Sequence, residues 1–361
     1  MKYKNKKIAK TGVAFVLATS MLANTMEGIF AESENNVQED TSKELSVKDE
    51  EIVEEVNVEA VEREKEVEAF LQTAPVVETE EKEASLAEEK QSASYVLSWA
   101  KFRNEYEKLM SIQGSTVTFT NQPVPAGTTT KDLTDTNDRS VVSYRVGNDL
   151  IVTTNGVDQK IKFPARSDYL FANIGNIFTT DNEVTAIDLS NVDTSDVVSF
   201  REMFSGCEKV VNLDLSNFDT SKATTMYRMF FYSRSLVNVD LTSFDTSNVT
   251  NMNGMFENCD ALEIADVSRF NTEKVTDMWR MFYDCEKLTT IDTSNFKVPN
   301  LEYMSGMFSG CKSVTKLDLS GFNTEKVTNM DSLFNYCESL VSLDLSHFNT
   351  DNVDNMQSMF Y

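Results

Sequence analysis

A single histidine among 361 residues leaves no partner for a paired-histidine acid–base system and no basis for a histidine-rich metal site. Basic residues are outnumbered too: 33 Lys and Arg face 58 Asp and Glu, for a formal net charge of −25. That balance argues against nucleic-acid binding, which needs cations to neutralise phosphates. The sequence holds no glycine-rich phosphate loop, no G-x-S-x-G and no Cys/His pair in a catalytic motif, so neither an enzymatic activity nor a cofactor is expected. The five cysteines lack CxxC spacing, which removes the usual zinc arrangement. Beyond the first thirty residues no stretch is apolar for 18 positions, so the mature chain is not expected to span a membrane.

What is present is unevenly distributed. Lys2, Lys4, Lys6, Lys7 and Lys10 precede a short apolar run, Gly12 to Ala23, and Ala31 offers a cleavage point before Glu32. Residues 1–31 therefore read as a bacterial secretory signal peptide. Residues 32–92 are strongly acidic: from Glu32 to Lys90 the net charge is −15, with one aromatic, Phe70. Such a segment buries too little apolar surface to offset chain entropy and is expected to act as a disordered, self-repelling spacer. Composition shifts at Tyr95. Val96, Trp99, Phe102, Tyr106 and Leu109 have the spacing of a short amphipathic helix, and strand-like runs follow at Thr116–Thr120, Val141–Val146 and Asp149–Thr154. Residues 93–160 are expected to form a small α+β cap.

From residue 161 onward a 26-residue unit takes over. Ile187, Leu213, Val239, Ala265, Ile291, Leu317 and Leu343 each begin an apolar-Asp-x-Ser/Thr stretch, and the spacing never changes. A period of this length indicates a solenoid or propeller. The alternation around each Asp reads as a short strand, and the Asp/Asn-Thr-Ser stretch as a helix-capping turn. Val249, Met252, Met255, Phe256 and Cys259 then fall on one face of a short helix. The expected class is α/β: a β/α solenoid of about seven coils over residues 161–361, one strand and one helix each. Phe171, Ile174, Ile177, Phe178 and Val184, with Ile161 and Phe163, suggest a degenerate first coil whose cysteine slot is Asp181.

Several residue types recur in fixed slots. Phe218, Phe244, Phe270, Phe296, Phe322 and Phe348 form an expected buried column, and twelve of the sixteen methionines fall in two further registers. Cys207, Cys259, Cys285, Cys311 and Cys337 share one register with Ser233. That pattern suits buried free thiols packed as small hydrophobes, with an occasional disulfide between coils left open. Asp188, Asp214, Asp240, Asp266, Asp292, Asp318 and Asp344 form the one ladder that is neither apolar nor plainly a turn. Seven ionised carboxylates one coil apart would repel. Either Ser/Thr hydroxyls and turn N–H groups hold them, or cations do. His347 falls in a slot held elsewhere by Asn, Ser, Arg and Gly and reads as an exposed turn residue.

A unit such as VDLTSFDTSNVTNMNGMFENCDAL, Val239 to Leu262, resembles the BspA-like leucine-rich repeats of bacterial surface proteins, and the same unit length is known from mycoplasma surface lipoproteins. The resemblance runs from Ile161 to Tyr361 and departs from the pattern at Lys297-Val298-Pro299, where one turn is expected to differ. It implies a leucine-rich-repeat solenoid in a secreted or wall-attached protein, with adhesion to host matrix or cell-surface proteins as the usual role. No LPxTG-type sorting signal or wall-binding module is present, and the chain stops inside a unit at Met359-Phe360-Tyr361. Further repeats and any anchor are therefore expected beyond Tyr361. The candidate binding surface comprises the Asp ladder with Asn212, Asn238 and Lys316 beside the strands. A structural coat protein without a dedicated ligand, or the carrier of a further C-terminal domain, are the competing expectations.

Overall fold

A computed structural model describes residues 95–173 and 182–361. The signal peptide, the spacer, residues 93–94 and the slots assigned to Ile174, Ile177, Phe178 and Asp181 lie outside the described residues. The described part belongs to one compact unit.

Helix α1, Trp99–Met110, starts at Ser98, whose hydroxyl accepts the N–H of Lys101, and it buries Phe102, Tyr106 and Leu109. Four strands follow: β1 (Ser115–Thr120), β2 (Lys131–Asp132), β3 (Val142–Val146) and β4 (Asp149–Thr153). After β5 (Ile161–Lys162) comes β6 (Val184–Asp188), which joins the earlier strands in a mixed sheet of order β2-β3-β4-β1-β6. Parallel pairing of β1 with β6 runs the N-terminal sheet directly into the first coil, and Phe119, Phe163 and Phe171 pack edge to face beneath it. Strand β7 (Val192–Asp193) pairs with β5, so Ile161 stands beside Val192 and not beside Ile187, one period away. The remaining strands β8 (Asn212–Leu213), β9 (Asn238–Val239) and β10 (Ile264–Ala265) form a small parallel sheet.

The expected α/β class is overturned. Helix α1 is the one α-helix among the described residues, and it lies outside the repeats; the repeats hold only short parallel strands and bridges. Val249 to Cys259, which carries helical spacing, is a string of tight turns. The reason lies in the backbone. In each unit two residues four apart take left-handed φ: Arg228 and Tyr232 at 51° and 57°, Gly254 and Asn258 at 57° and 58°, Arg280 and Asp284 at 52° and 54°. A right-handed helix cannot pass through such residues. The turns instead divide their N–H groups between two acceptors. Those of Arg228, Phe230 and Tyr232 donate to Asn253, Met255 and Glu257 of the next coil, while those of Met229, Phe231 and Ser233 donate three residues back. A helix would spend all these donors on itself; here half of them bind coil to coil.

Packing follows the same period. Phe204, Phe230, Phe256, Phe282, Phe308 and Phe334 stack with neighbouring centroids 5.3–6.0 Å apart and planes within 9°. Phe171 opens this column, 5.3 Å from Phe204 at 2°. It stands 33 residues before its neighbour, so the first coil is seven residues longer than the rest and the slot expected for Phe178 belongs to Phe171. Each fully buried ring contributes roughly 2–3 kcal/mol by area.

Threonine fastens adjacent coils at a second place. The buried Thr246 hydroxyl donates to the Asn271 carbonyl at 2.9 Å and accepts that residue's N–H at 2.7 Å, and Thr220 and Thr272 repeat the arrangement. At Lys297-Val298-Pro299 this fastener is lost, because a buried valine stands where the threonine would. The altered turn brings the Phe296 carbonyl to the next coil, where a side chain at Gly321 would meet it at 1.7 Å. Gly321 is thus the complement of the departure two dozen residues earlier.

Candidate binding surface

Up to three side-chain-to-backbone turns mark a coil; the coil of Lys297 and Tyr303 keeps only the first. At the first, every member of the Asp ladder accepts the N–H two residues on, at 2.9–3.1 Å from Asp188 through Asp344. In four coils the following hydroxyl adds a 2.6 Å bond, from Ser216, Thr242, Ser268 and Ser294. These bonds hold Asp214, Asp240, Asp292, Asp318 and Asp344 below the ordinary carboxylate range, and repulsion from Asp214 is the weakest influence on Asp240. The second turn uses Asp193, Asp219, Asp245 or Asn271, and the third Asn251, Asp277 or Asn329, in the same way. Among the described residues no group of three or more His, Cys, Asp or Glu is arranged to hold a metal ion.

The ladder and its neighbours share one exposed face. Asn212 pairs with Asn238 across β8 and β9, and Ile264 continues the column on β10. Lys316 lies three coils beyond Asn238 in that column, bridged to Ser342, and with Asp318 and Asp344 it borders a shallow depression. All ten candidate residues therefore stand on one surface, but the side-chain partners shown for the Asp ladder are local turn partners. His347 is exposed, and its Nε2 lies 2.6 Å from the Leu319 carbonyl, as Asn217 and Ser243 reach back to Leu189 and Leu215.

The cysteine slot proves to be more than a packing position. Cys259, Cys285, Cys311 and Cys337 donate from Sγ to the carbonyls of Phe230, Phe256, Phe282 and Phe308 at 3.1–3.2 Å. Ser233 fits the same slot because its hydroxyl donates to Phe204 at 2.9 Å. All five thiols are free, and burial pushes Cys207 up to about 12 and Cys337 to about 11, so they stay protonated donors.

A different surface, formed by the left-handed turns, was not foreseen from the sequence. Arg228 and Arg280 occupy the same slot two coils apart, with Gly254 between them. A Cβ at Gly254 would meet Arg228 Cγ and Glu257 Oε2, each at 2.9 Å. Glu257, nearly buried, receives both cations: Arg228 Nε at 3.7 Å and Arg280 Nη1 at 3.4 Å. Each guanidinium also lies over rings of its own coil. Arg228 is 4.5 Å from Phe231 and 5.2 Å from Tyr227, and Arg280 is 4.3 Å from Trp279 and 4.9 Å from Tyr283. Arg201 over Tyr227 and Arg234 over Tyr232 extend the pattern. Beside them Asp284 is raised to about 6 by burial and by the nearby charges of Asp260 and Glu286. Burial likewise raises Asp277, against the opposing hydrogen bonds from Asn253 and Asn251. The sequence signal for this surface is the recurrence of Gly or Asn at Gly206, Gly254, Asn258, Gly306 and Gly310, which marks left-handed backbone within a helix-like pattern.

Stacked 26-residue coils, with uniform interior columns and a chemically mixed turn face, define a repeat protein. The chain belongs to the family described as "Mycoplasma protein of unknown function, DUF285", which matches residues 172–293 and 260–361, together more than half of its length. Neither the curated proteins nor the solved structures searched yield a match. No helix among the described residues is long and apolar enough to cross a membrane.

Proposed function

We propose that this chain is a non-enzymatic protein-binding module, secreted and displayed at a bacterial cell surface or wall, that engages host matrix or cell-surface proteins. The observation that carries it is the contrast between columns. The stacked position holds Phe in every coil from Phe204 to Phe334, whereas a half-exposed face column three residues earlier reads Arg201, Tyr227, Asn253, Trp279 and Asp331, with Ser305 alone buried. A scaffold needs identical interior residues, and extended faces of stacked repeats are where such proteins place recognition. Trp, Tyr and Arg concentrated on that face are the residue types that dominate protein interfaces. The lysine-rich start, the apolar run before Ala31 and the resemblance to BspA-like surface proteins support the location.

The test is binding of the purified full chain to surfaces coated with extracellular-matrix proteins. Saturable binding weakened roughly tenfold by Trp279→Ala, about 1.4 kcal/mol, and unchanged by Asp240→Asn is expected. Retention of no matrix protein would favour a structural coat and end this reading.

A further inference from the structure

The same set of contacts joins coil to coil through much of the stack, and one joint lacks most of them. Between the coils of Asn251 and Asp277 the set is complete. Glu263 donates its N–H to the Val237 carbonyl at 3.1 Å, and Thr276 and Met252 donate to Thr250 and Asp277 at 2.9 Å. Asn251 bridges Asp277, and Thr246 fastens Asn271. Between the coils of Tyr303 and Asn329 the corresponding amides, Thr315, Thr328, Met304 and Asn323, make no bond to a neighbouring coil. Neither the bridge nor the threonine fastener is present there among the described residues. The joint just before it loses the strand-side bond at Thr289 but keeps those of Glu302 and Met278 and the fastener from Thr272 to Lys297.

The regular contacts that survive at the weak joint lie in one place. Gly306, Phe308 and Gly310 still donate to Asp331, Leu333 and Asn335 at 2.8–3.1 Å. Phe308 stacks on Phe334 at 5.9 Å, and Cys337 reaches the Phe308 carbonyl. All of these belong to the left-handed turns. Around the rest of the coil only substitutes cross. Val298 donates to the Gly321 carbonyl at 3.3 Å, and Ser305 Oγ to the Asn329 carbonyl at 3.2 Å. The Thr293 hydroxyl reaches the Asp318 carbonyl, Phe296 meets Phe322 at 6.1 Å, and the exposed Lys326 meets Asn300. Three residues account for the loss. Lys297 offers no acceptor for the second turn, Val298 no hydroxyl and Pro299 no N–H, where the preceding coil has Asn271, Thr272 and Glu273.

We infer that the stack opens at this joint: residues 315–361 move away as one unit, hinged on the turns at Gly306 and Gly310, while the earlier coils stay together. In a repeat stack each coil touches only its neighbours, so the weakest joint sets where a part opens first. Contacts kept at one place and lost around the rest of the coil make that opening a rotation about the kept side. Such a hinge acts whatever the chain binds, and it lets the turns beyond Gly310 change their angle to those that carry Arg228 and Arg280.

The experiment is native-state hydrogen exchange of the full chain, read by mass spectrometry at a series of low denaturant concentrations. Peptides carrying Met330, Val341 and Asp354, whose N–H groups are bonded beyond the joint, are expected to exchange through one common opening. They should do so at least about tenfold faster than peptides carrying Met226, Met252 and Thr276. Fraying from the last coil would also speed Asp354, so a second arm repairs the joint. Lys297→Asn, Val298→Thr and Pro299→Glu together copy the preceding coil. They are expected to slow Met330 and Val341 about tenfold and to leave Met226 unchanged, and Val298→Thr alone should give part of that slowing. The converse change Thr272→Val, one coil earlier, should draw Glu302 into the faster set. Equal exchange on the two sides of the joint overturns the inference. So does a repaired chain, or a Val298→Thr chain, in which Met330 and Val341 keep their wild-type rates, because their speed would then come from the end of the stack.

Discussion

Phe230, Phe256 and Phe282 are buried and identical, while their immediate neighbours Phe231, Glu257 and Tyr283 differ in size, charge and exposure. The two sets come from the same turns, one residue apart, and are governed by different neighbours. A stacked ring must match the rings above and below at 5.3–5.5 Å, so any change leaves a void between two coils. A turn-face residue packs against whatever the adjacent coil has cleared for it, as Gly254 clears space for the buried Arg228, and only some of them, such as Tyr283, also reach solvent. Uniformity is therefore a packing demand, and variety is free wherever a glycine one coil on makes room.

The sharpest way to break this contrast is to empty the column. Phe256→Ala removes a ring flanked on both sides and should cost about 3–5 kcal/mol in chemical denaturation; a loss under 1 kcal/mol would mean the column does not couple the coils. The cysteine slot should show a smaller effect that depends on chemistry more than on volume. Cys285→Ala removes one of two donors to the Phe256 carbonyl, which keeps the N–H of Cys259, and is expected to cost about 0.5–1.5 kcal/mol. Cys285→Ser keeps the donor, as Ser233 does, and should cost less; equal losses would show the slot to be merely apolar. The turn face should respond least, and in the opposite direction. Burial, with Asp260 and Glu286 nearby, raises Asp284 to about 6, above the roughly 3.9 of an unfolded chain. The folded state holds that proton more tightly, so ionising Asp284 lowers stability above about pH 6 and has no such effect below about pH 4. Asp284→Asn is expected to gain about 1 kcal/mol at pH 7.5, allowing for solvent screening, with the gain fading between pH 6 and 4. A gain that ignores pH would assign the effect to the left-handed backbone, which asparagine tolerates well.

Much of the interior was legible because a fixed period makes each slot report several times. The strands expected at Thr116–Thr120 and Asp149–Thr154 lie within a residue of β1 and β4, and the Met, Phe and Cys registers are buried as the repeat places them except in the last coils, where Met356 is exposed and Cys337 and Phe348 are half-buried. The helix in each unit was misjudged for a specific reason. Apolar residues at three- and four-residue steps suit a helix, but they suit a chain of tight turns equally, since both return to the same side after three or four residues. Only the left-handed pair in each unit separates the two, and it is filled by Arg, Tyr, Asp and Ser as well as by Gly and Asn. The Asp ladder stands out in the sequence because stacked carboxylates need either turn partners or cations, and periodicity alone does not choose between them. Their partners were two residues away in the chain, in turns that cap themselves.

By itself the amino-acid sequence determined the period, the identity of the buried slots and the hydrogen-bonding turns at each Asp, because these depend on contacts within one unit or on strict repetition. Only the tertiary structure decided that the turns bond outward to the next coil, that Phe171 heads the aromatic column after a longer first coil, and that Arg228, Glu257 and Arg280 meet across three coils. Those outcomes depend on which groups the stacking brings side by side, and residues more than twenty positions apart carry no local pattern that announces their meeting.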